Sequence, residues 1–226
     1  MKAIKRLPRL GDFQFDNVYQ VDCLLAMRSF PDNYFDLVIT DPPYGIGENN
    51  SKNLSRVGLA SPIDYGNFEW DNQPASDEQI LELIRISKNQ IIFGGNYFNL
   101  YPSPCWVVWD KDNGNNDFAD CELAWTSHSS AVRKFKYRWA GMLQENMKNK
   151  EIRIHPTQKP VQLYKWTLKN YAKPGMKIID IHIGSGSSII AFLDFGCDWI
   201  GFEIDPDYHK AATERIERHK QQLKLF

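Results

Sequence analysis

The sequence predicts an open α/β sheet, mostly parallel, with one antiparallel strand pair. Three observations carry that expectation. Apolar runs of strand length at 35–40, 90–93, 176–181 and 198–203 are separated by helical patterns, as in a sheet built from strand–helix–strand units. The runs 105–109 and 121–126 flank Asp112-Asn113-Gly114-Asn115-Asn116, a turn-rich link that suits an antiparallel pair. Residues 177–188 read as strand, tight glycine turn and helix.

The elements follow in order. Residues 18–21 form a short strand ending at Asp22-Cys23, and a helix through 24–28 stops near Pro31-Asp32-Asn33. The strand 35–40 then delivers Asp41-Pro42-Pro43-Tyr44. Residues 45–74 show no periodicity and are rich in Asn, Ser, Gly and Asp; so long a loop in a compact domain is functional or mobile, and a mobile loop is expected. Ser76 caps the next helix, with Gln79 at the capping-box position and Ile80, Leu83 and Ile84 as its apolar stripe. Three strands follow, at 90–93, 105–109 and 121–126, and then a basic segment at 127–153. A helix at 161–171 breaks at Lys173-Pro174-Gly175; strand 176–181, helix 188–195, strand 198–203 and an amphipathic helix at 207–223 complete the pattern.

Composition sets outer bounds. The 226 residues suit one domain spanning 1–226, long enough to bury a sizeable core. A formal net charge of -1 excludes a wholesale polycation, so a nucleic-acid surface must be a local patch. The basic residues near Met1 are not followed by an apolar stretch, so no signal peptide is expected, and no apolar run approaches membrane-spanning length. The four cysteines are far apart and form no C-x-x-C pair. They read as free thiols in a reducing compartment without a zinc site. A cytoplasmic protein with no metal and no membrane contact is expected.

Two stretches carry chemistry. In Asp41-Pro42-Pro43-Tyr44, consecutive prolines fix φ and remove two backbone donors, leaving a rigid bend that offers acceptors beside an aromatic face. Acceptors next to a π-face suit an exocyclic amino group on a flat heterocycle. In the second stretch, Gly184 and Gly186 let backbone pass close to a ligand, and the helix that follows presents N–H groups. Glu203 ends the next strand, where an acid accepts from ribose hydroxyls. The G-x-G-x-x-G fingerprint of dinucleotide folds is absent, since Ser187, Ser188 and Ile189 follow Gly186.

Strand-end Asp41-Pro42-Pro43-Tyr44 resembles the catalytic motif of the amino-group DNA methyltransferases, which methylate adenine N6 or cytosine N4. The turn Asp180 to Ser187 is similar to the family's Asp-Pro-Phe-x-Gly-Ser-Gly-Thr in its Asp, Gly, Ser and Gly, with His182-Ile183 and Ser187 as departures. The segment His155-Pro156-Thr157-Gln158-Lys159-Pro160 is identical to one that commonly precedes that turn. The order, catalytic motif first and cofactor turn last, resembles the circularly permuted β-class. The resemblance implies a Rossmann-like methyltransferase fold and an S-adenosylmethionine pocket lined by Thr157, Gln158, Lys159, Asp180, Gly184, Ser185, Gly186, Ser187 and Glu203, with Asp22-Cys23 bordering the cofactor's adenine. It implies catalysis at Asp41, Pro42, Pro43 and Tyr44 on a base flipped from double-stranded DNA. Adenine is preferred to cytosine because N4 members more often begin the motif with Ser.

Plainer readings stand beside these. His155 and His182 read as hydrogen-bonded structural residues, and Phe93, Tyr97, Trp109 and Trp125 as core aromatics. In the basic segment Arg133, Lys134, Lys136, Arg138, Lys148, Lys150 and Arg153 are opposed only by Glu145 and Glu151, with Phe135, Tyr137 and Trp139 interleaved. A run of this kind is ordinarily a solvated face; its aromatics and position favour DNA contact through Arg133, Lys134, Lys136 and Arg138. Alternative readings are a cytosine-N4 enzyme, methylation of an amino group in RNA or protein, and a DNA-binding module without activity. Dimerisation occurs in the β-class, and nothing in the sequence marks an interface.

Overall fold

A computed structural model describes residues 7–46, 73–114, 119–140 and 143–223. Of the loop expected at 45–74, residues 47–72 lie outside the described residues. The described strands are β1 (Asn17–Gln20), β2 (Leu37–Thr40), β3 (Gln90–Phe93), β4 (Trp106–Asp110), β5 (Cys121–Thr126), β6 (Arg133–Lys136), β7 (Trp139–Ala140), β8 (Leu143–Gln144), β9 (Lys177–Asp180) and β10 (Asp198–Glu203). The helices are α1 (Cys23–Met27), α2 (Asp77–Arg85), α3 (Val161–Tyr171), α4 (Ser187–Phe195) and α5 (Pro206–Leu223).

Eight strands form one sheet in the order β1-β10-β9-β2-β3-β5-β4-β6, with β7 and β8 as a separate antiparallel pair. Strands β1, β10, β9, β2 and β3 are parallel; β5 runs antiparallel to both β3 and β4. This is the expected α/β architecture. Two features were not anticipated: β5 rather than β4 lies against β3, and the basic segment contributes β6, an edge strand parallel to β4.

The apolar runs are explained by burial on both sides of the sheet, the pattern of parallel sheets covered by helices. Alternate residues feed opposite layers. Leu37, Ile39, Ile91, Phe93 and Ile178 join α3, α4 and Ile216 of α5, whereas Val38, Ile92 and Ile179 join Met27 of α1 and Leu83 of α2. Ser76 caps α2 through a full capping box with Gln79, as its spacing requires, a contact worth ~1 kcal/mol.

The connections reverse direction between β9 and β2. From β9 the chain returns through α4 to β10 on one side, and from β2 through α2 to β3 on the other. A crevice opens outside the carboxyl ends of strands at such a point, where open α/β sheets bind ligands.

Candidate active site

Asp41 leaves β2 on the edge of that crevice. One carboxylate oxygen accepts the Tyr44 hydroxyl at 2.5 Å, and the other accepts the Lys159 ammonium at 2.5 Å. The Pro43 carbonyl accepts the Ala75 amide at 3.0 Å. The Pro42 carbonyl, by contrast, accepts nothing among the described residues. Tyr44 stacks on Tyr97, centroids 4.8 Å apart and planes 13° from parallel, and Tyr97 is half-exposed. Room for the Tyr44 ring comes from Gly94: its φ of 66° is left-handed, and a Cβ there would lie 2.0 Å from the ring. Tyr97, expected as core, instead borders the site.

Lys159 is where the structure departs most from expectation. The resemblance assigned it to the cofactor pocket, yet its ammonium turns to the catalytic motif. Besides Asp41 it meets Tyr44 Oη at 3.1 Å and Glu122 Oε2 at 3.1 Å, with its side chain only 3% exposed. It also sits over the rings of Tyr44 and Phe93, at 5.4 and 5.3 Å. Glu122 is held from its other side by Lys111. Burial pushes the Lys159 ammonium down, but the two carboxylates outweigh it and hold the group above its usual range. Burial likewise pushes Glu122 up, and Lys159 and Lys111 outweigh it to leave the carboxyl at about 2. For Asp41, burial prevails and raises the carboxyl against the pull of Lys159. Glu122 and Lys111 were missed in the sequence. The available signal was an acid inside an otherwise apolar strand.

On the neighbouring strand, Asp180 ends β9 fully buried. Its oxygens accept the Thr40 hydroxyl at 2.9 Å, the His182 amide at 3.0 Å and the Ser188 hydroxyl at 2.5 Å. Burial raises it to about 6. Asp180 therefore builds the turn, and its link to Thr40 ties the two motifs together. Gly184 and Gly186 are left-handed, at φ 48° and 74°, and the Gly184 amide donates to Glu203 at 2.9 Å. The second Glu203 oxygen accepts the Asp205 amide, and burial raises the carboxyl to about 7. Ser185 and Ser187 hydroxyls pair at 3.1 Å, braced by Arg215.

The remaining expected cofactor residues divide. Asp22 caps α1, and Cys23 lies 3.6 Å from Nε2 of His182, so these two do reach the turn. Thr157 bonds His155, whose ring sits against Gly184. Gln158 is a strut that bonds the backbone of Ile152 and Ile154.

The basic segment is more neutral than its local count suggests. Lys134 pairs with Asp110 at 3.4 Å, and Lys136 and Arg138 share Asp112 at 2.9 and 3.0 Å. Those acids come from the end of β4 and the turn beyond it, far away in sequence. The interleaved aromatics are structural: Phe135 stacks on Tyr137 and packs on Trp166, and Trp139 is buried with its indole N–H donating to the Gln158 carbonyl. Arg133 opens on a cavity of about 360 Å³ with His128, Ser129, Ser130, Asn170 and Tyr171, at the end of α3 remote from Lys159.

Comparison with known proteins agrees with this geometry. A family model of DNA methylases acting at N6 or N4 matches residues 108–214. The "Putative methylase YubD" of Escherichia coli (strain K12) is 27% identical over 87% of this chain and 88% of its own. Among solved structures, the cytosine-N4-specific PvuII DNA methyltransferase aligns with a TM-score of 0.55 at 15% identity, over 91% of each chain. The complex of M1.HpyAVI with SAM aligns with a TM-score of 0.53 at 18% identity, over 88% of this chain and 98% of that one. These likenesses in structure concern the fold. The family span covers the glycine turn and Lys159, which the sheet sets beside Asp41. Over residues 108–214 the chain is similar to the N6/N4 DNA methylase family.

Proposed function

We propose that the target of this DNA amino-methyltransferase is the N6 amino group of adenine, extruded from duplex DNA. The observation behind this reading is the adjacency of two strand ends. Strands β2 and β9 pair directly, and Thr40 bonds Asp180 across them, so Asp41 and the Gly184-Ser185-Gly186 turn follow neighbouring strand ends.

S-adenosylmethionine, when bound, supplies an electrophilic methyl group on a sulfonium. The residues present suit it: two left-handed glycines form the turn, and Nδ1 of His182 is buried there without a partner among the described residues. Gly184, Ser185, Gly186, Glu203, Asp22, Cys23 and Thr157 would hold it.

The chain's own part is to prepare the nucleophile. The lone pair of an adenine amino group is delocalised into the ring, which makes the nitrogen a poor nucleophile. Asp41 and the open Pro42 carbonyl each accept one N–H, draw the nitrogen toward tetrahedral geometry and stabilise the charge that grows on it. Asp41 need not be a base beforehand, because the product ammonium is acidic enough to lose its proton afterwards. Tyr44 stacks on the base, a contact worth ~1–3 kcal/mol. A flipped base is required because the amino nitrogen is inaccessible inside a duplex. The aspartate that opens the motif supports adenine over cytosine, and Lys134, Lys136 and Arg138 are the proposed contacts to phosphate, with Arg133 set apart.

Expression in a methylase-free host, followed by sequencing with modified-base detection, tests this. N6-methyladenine at a recurrent site is expected. N4-methylcytosine would overturn the choice of base, and an unmodified genome would overturn the activity. Asp41→Ala should abolish the mark while cofactor affinity stays near wild type.

A further inference from the structure

The proposed reaction builds positive charge on the target nitrogen, yet the site buries a full ammonium beside the acceptor that must stabilise it. Lys159 touches Asp41 at 2.5 Å and is almost wholly enclosed. By itself that contact would cancel the charge of Asp41. Glu122 removes the conflict. It reaches the same ammonium from β5, at 3.1 Å, and Lys111 holds it in place on its more exposed side.

We propose that Glu122 is a positioning residue for methyl transfer: it offsets Lys159, so that cations do not outnumber carboxylates around Asp41 where the nitrogen becomes cationic. The inference rests on the functional reading above. With Lys111, which also binds Glu122, the Asp41, Lys159 and Glu122 group is neutral; without Glu122 it carries a net charge of +1. Lys159 then has a defined task. It fixes one oxygen of Asp41 and leaves the other, held by the weaker Tyr44 hydroxyl, to be exchanged for the target N–H. The other titratable groups near Asp41 are Tyr164 of α3 and Asp180 of β9. Tyr164 adds no charge near neutral pH, since burial raises its phenol well above the usual range.

The test is single-turnover methyl transfer to duplex DNA by the full chain with tritiated S-adenosylmethionine. Glu122→Gln should lower the rate roughly 10- to 100-fold, on the scale of losing one preorganised electrostatic partner. Affinities for cofactor and DNA should stay within about twofold, so that kcat and kcat/KM fall together. Glu122→Asp should recover part of the loss. Removing one member of a buried ion pair also destabilises a fold, whereas removing both is often tolerated. Glu122→Gln combined with Lys159→Gln restores the neutral balance of the group, Asp41 against Lys111, and should therefore run faster than Glu122→Gln alone. The acid limb of its rate–pH profile should move to higher pH, because Asp41 has lost the cation that keeps it ionised.

A wild-type rate in Glu122→Gln would overturn the inference, as would a loss confined to cofactor or DNA affinity. If Glu122→Gln does not fold, a double variant slower than Lys159→Gln alone would overturn it. A wild-type protein that methylates no DNA would instead overturn the functional reading, and this inference with it.

Discussion

Asp41 and Asp180 end adjacent parallel strands, and both are shielded by the same sheet, yet their surroundings differ. Asp180 meets two hydroxyls and one amide, all neutral donors, and burial brings its carboxyl to about 6. Asp41 meets a phenol and an ammonium, and an acidic neighbour stands behind that ammonium. The first is saturated and supports a turn. The second, raised by burial as well, faces a cation and keeps a hydroxyl partner. What separates the two carboxylates is the chemistry of their partners, more than their depth.

The sharpest way to break this comparison is one substitution made at both positions. Asp41→Asn should reduce methyl transfer by ~10³-fold or more, since it removes the charge that the transition state needs. Asp180→Asn keeps an acceptor for Thr40 and His182, and its amide N–H can donate to Ser188. Transfer should fall less than about tenfold there, on the scale of ~1.4 kcal/mol. Comparable losses in the two variants, by single-turnover assay, would erase the distinction. Asp180→Ala is a different test: it strips two buried hydroxyls of their acceptor at ~1–3 kcal/mol each. In a chain of this size each kcal/mol lowers Tm by about 2–4 °C.

Next in size is Tyr44. Tyr44→Ala removes the stacking surface and should slow transfer on duplex DNA about 5- to 150-fold, from ~1–3 kcal/mol of lost stacking. Tyr44→Phe keeps the ring and removes only the hydroxyl that competes for Asp41. It should remain within about tenfold of wild type. Equal losses would mean that the hydroxyl, and not the face, is what matters.

A smaller effect should appear in pH-dependent stability. Burial raises Asp180 to about 6 and Glu203 to about 7, above the ~3.9 and ~4.3 of an unfolded chain. The folded state then keeps protons that the unfolded state has released, so the contribution of these groups to stability falls as pH rises from about 4 to about 7. Glu122 runs the other way. Held at about 2, it contributes stability above about 4.3 that is lost as pH falls toward 2. Denaturant midpoints measured from pH 4 to 7 should decline less steeply in Asp180→Asn than in wild type.

The smallest effect carries the same contrast to the surface. Asp112 pairs with both Lys136 and Arg138, so Asp112→Asn should free them and steepen the salt dependence of DNA affinity, by less than about two in the log–log slope. An unchanged slope would place the DNA surface elsewhere.

Much of this was legible in the chain. Helix α3 and strands β3, β5 and β10 fall at their expected bounds, because apolar spacing and turn residues are local signals. The same holds for the cap at Ser76 and for the left-handed glycines of the cofactor turn. The edge strand β6 was not legible: Arg133–Lys136 alternates cations with one half-buried aromatic and resembles a solvated face. Neither was the partial offset of that segment's charge by Asp110 and Asp112, since a charge count along one stretch cannot include acids that arrive from another strand.

The sequence by itself determined which groups are present and which backbone shapes they impose: an acceptor-rich bend at Asp41, a glycine turn at Gly184 and an alternation of strands and helices. Those properties depend on near neighbours in the chain. Tertiary structure alone decided that the Lys159 ammonium pairs with Asp41, and that Glu122 faces Lys159. A charge acts through space and through the dielectric around it, and both are defined only once distant strands have packed.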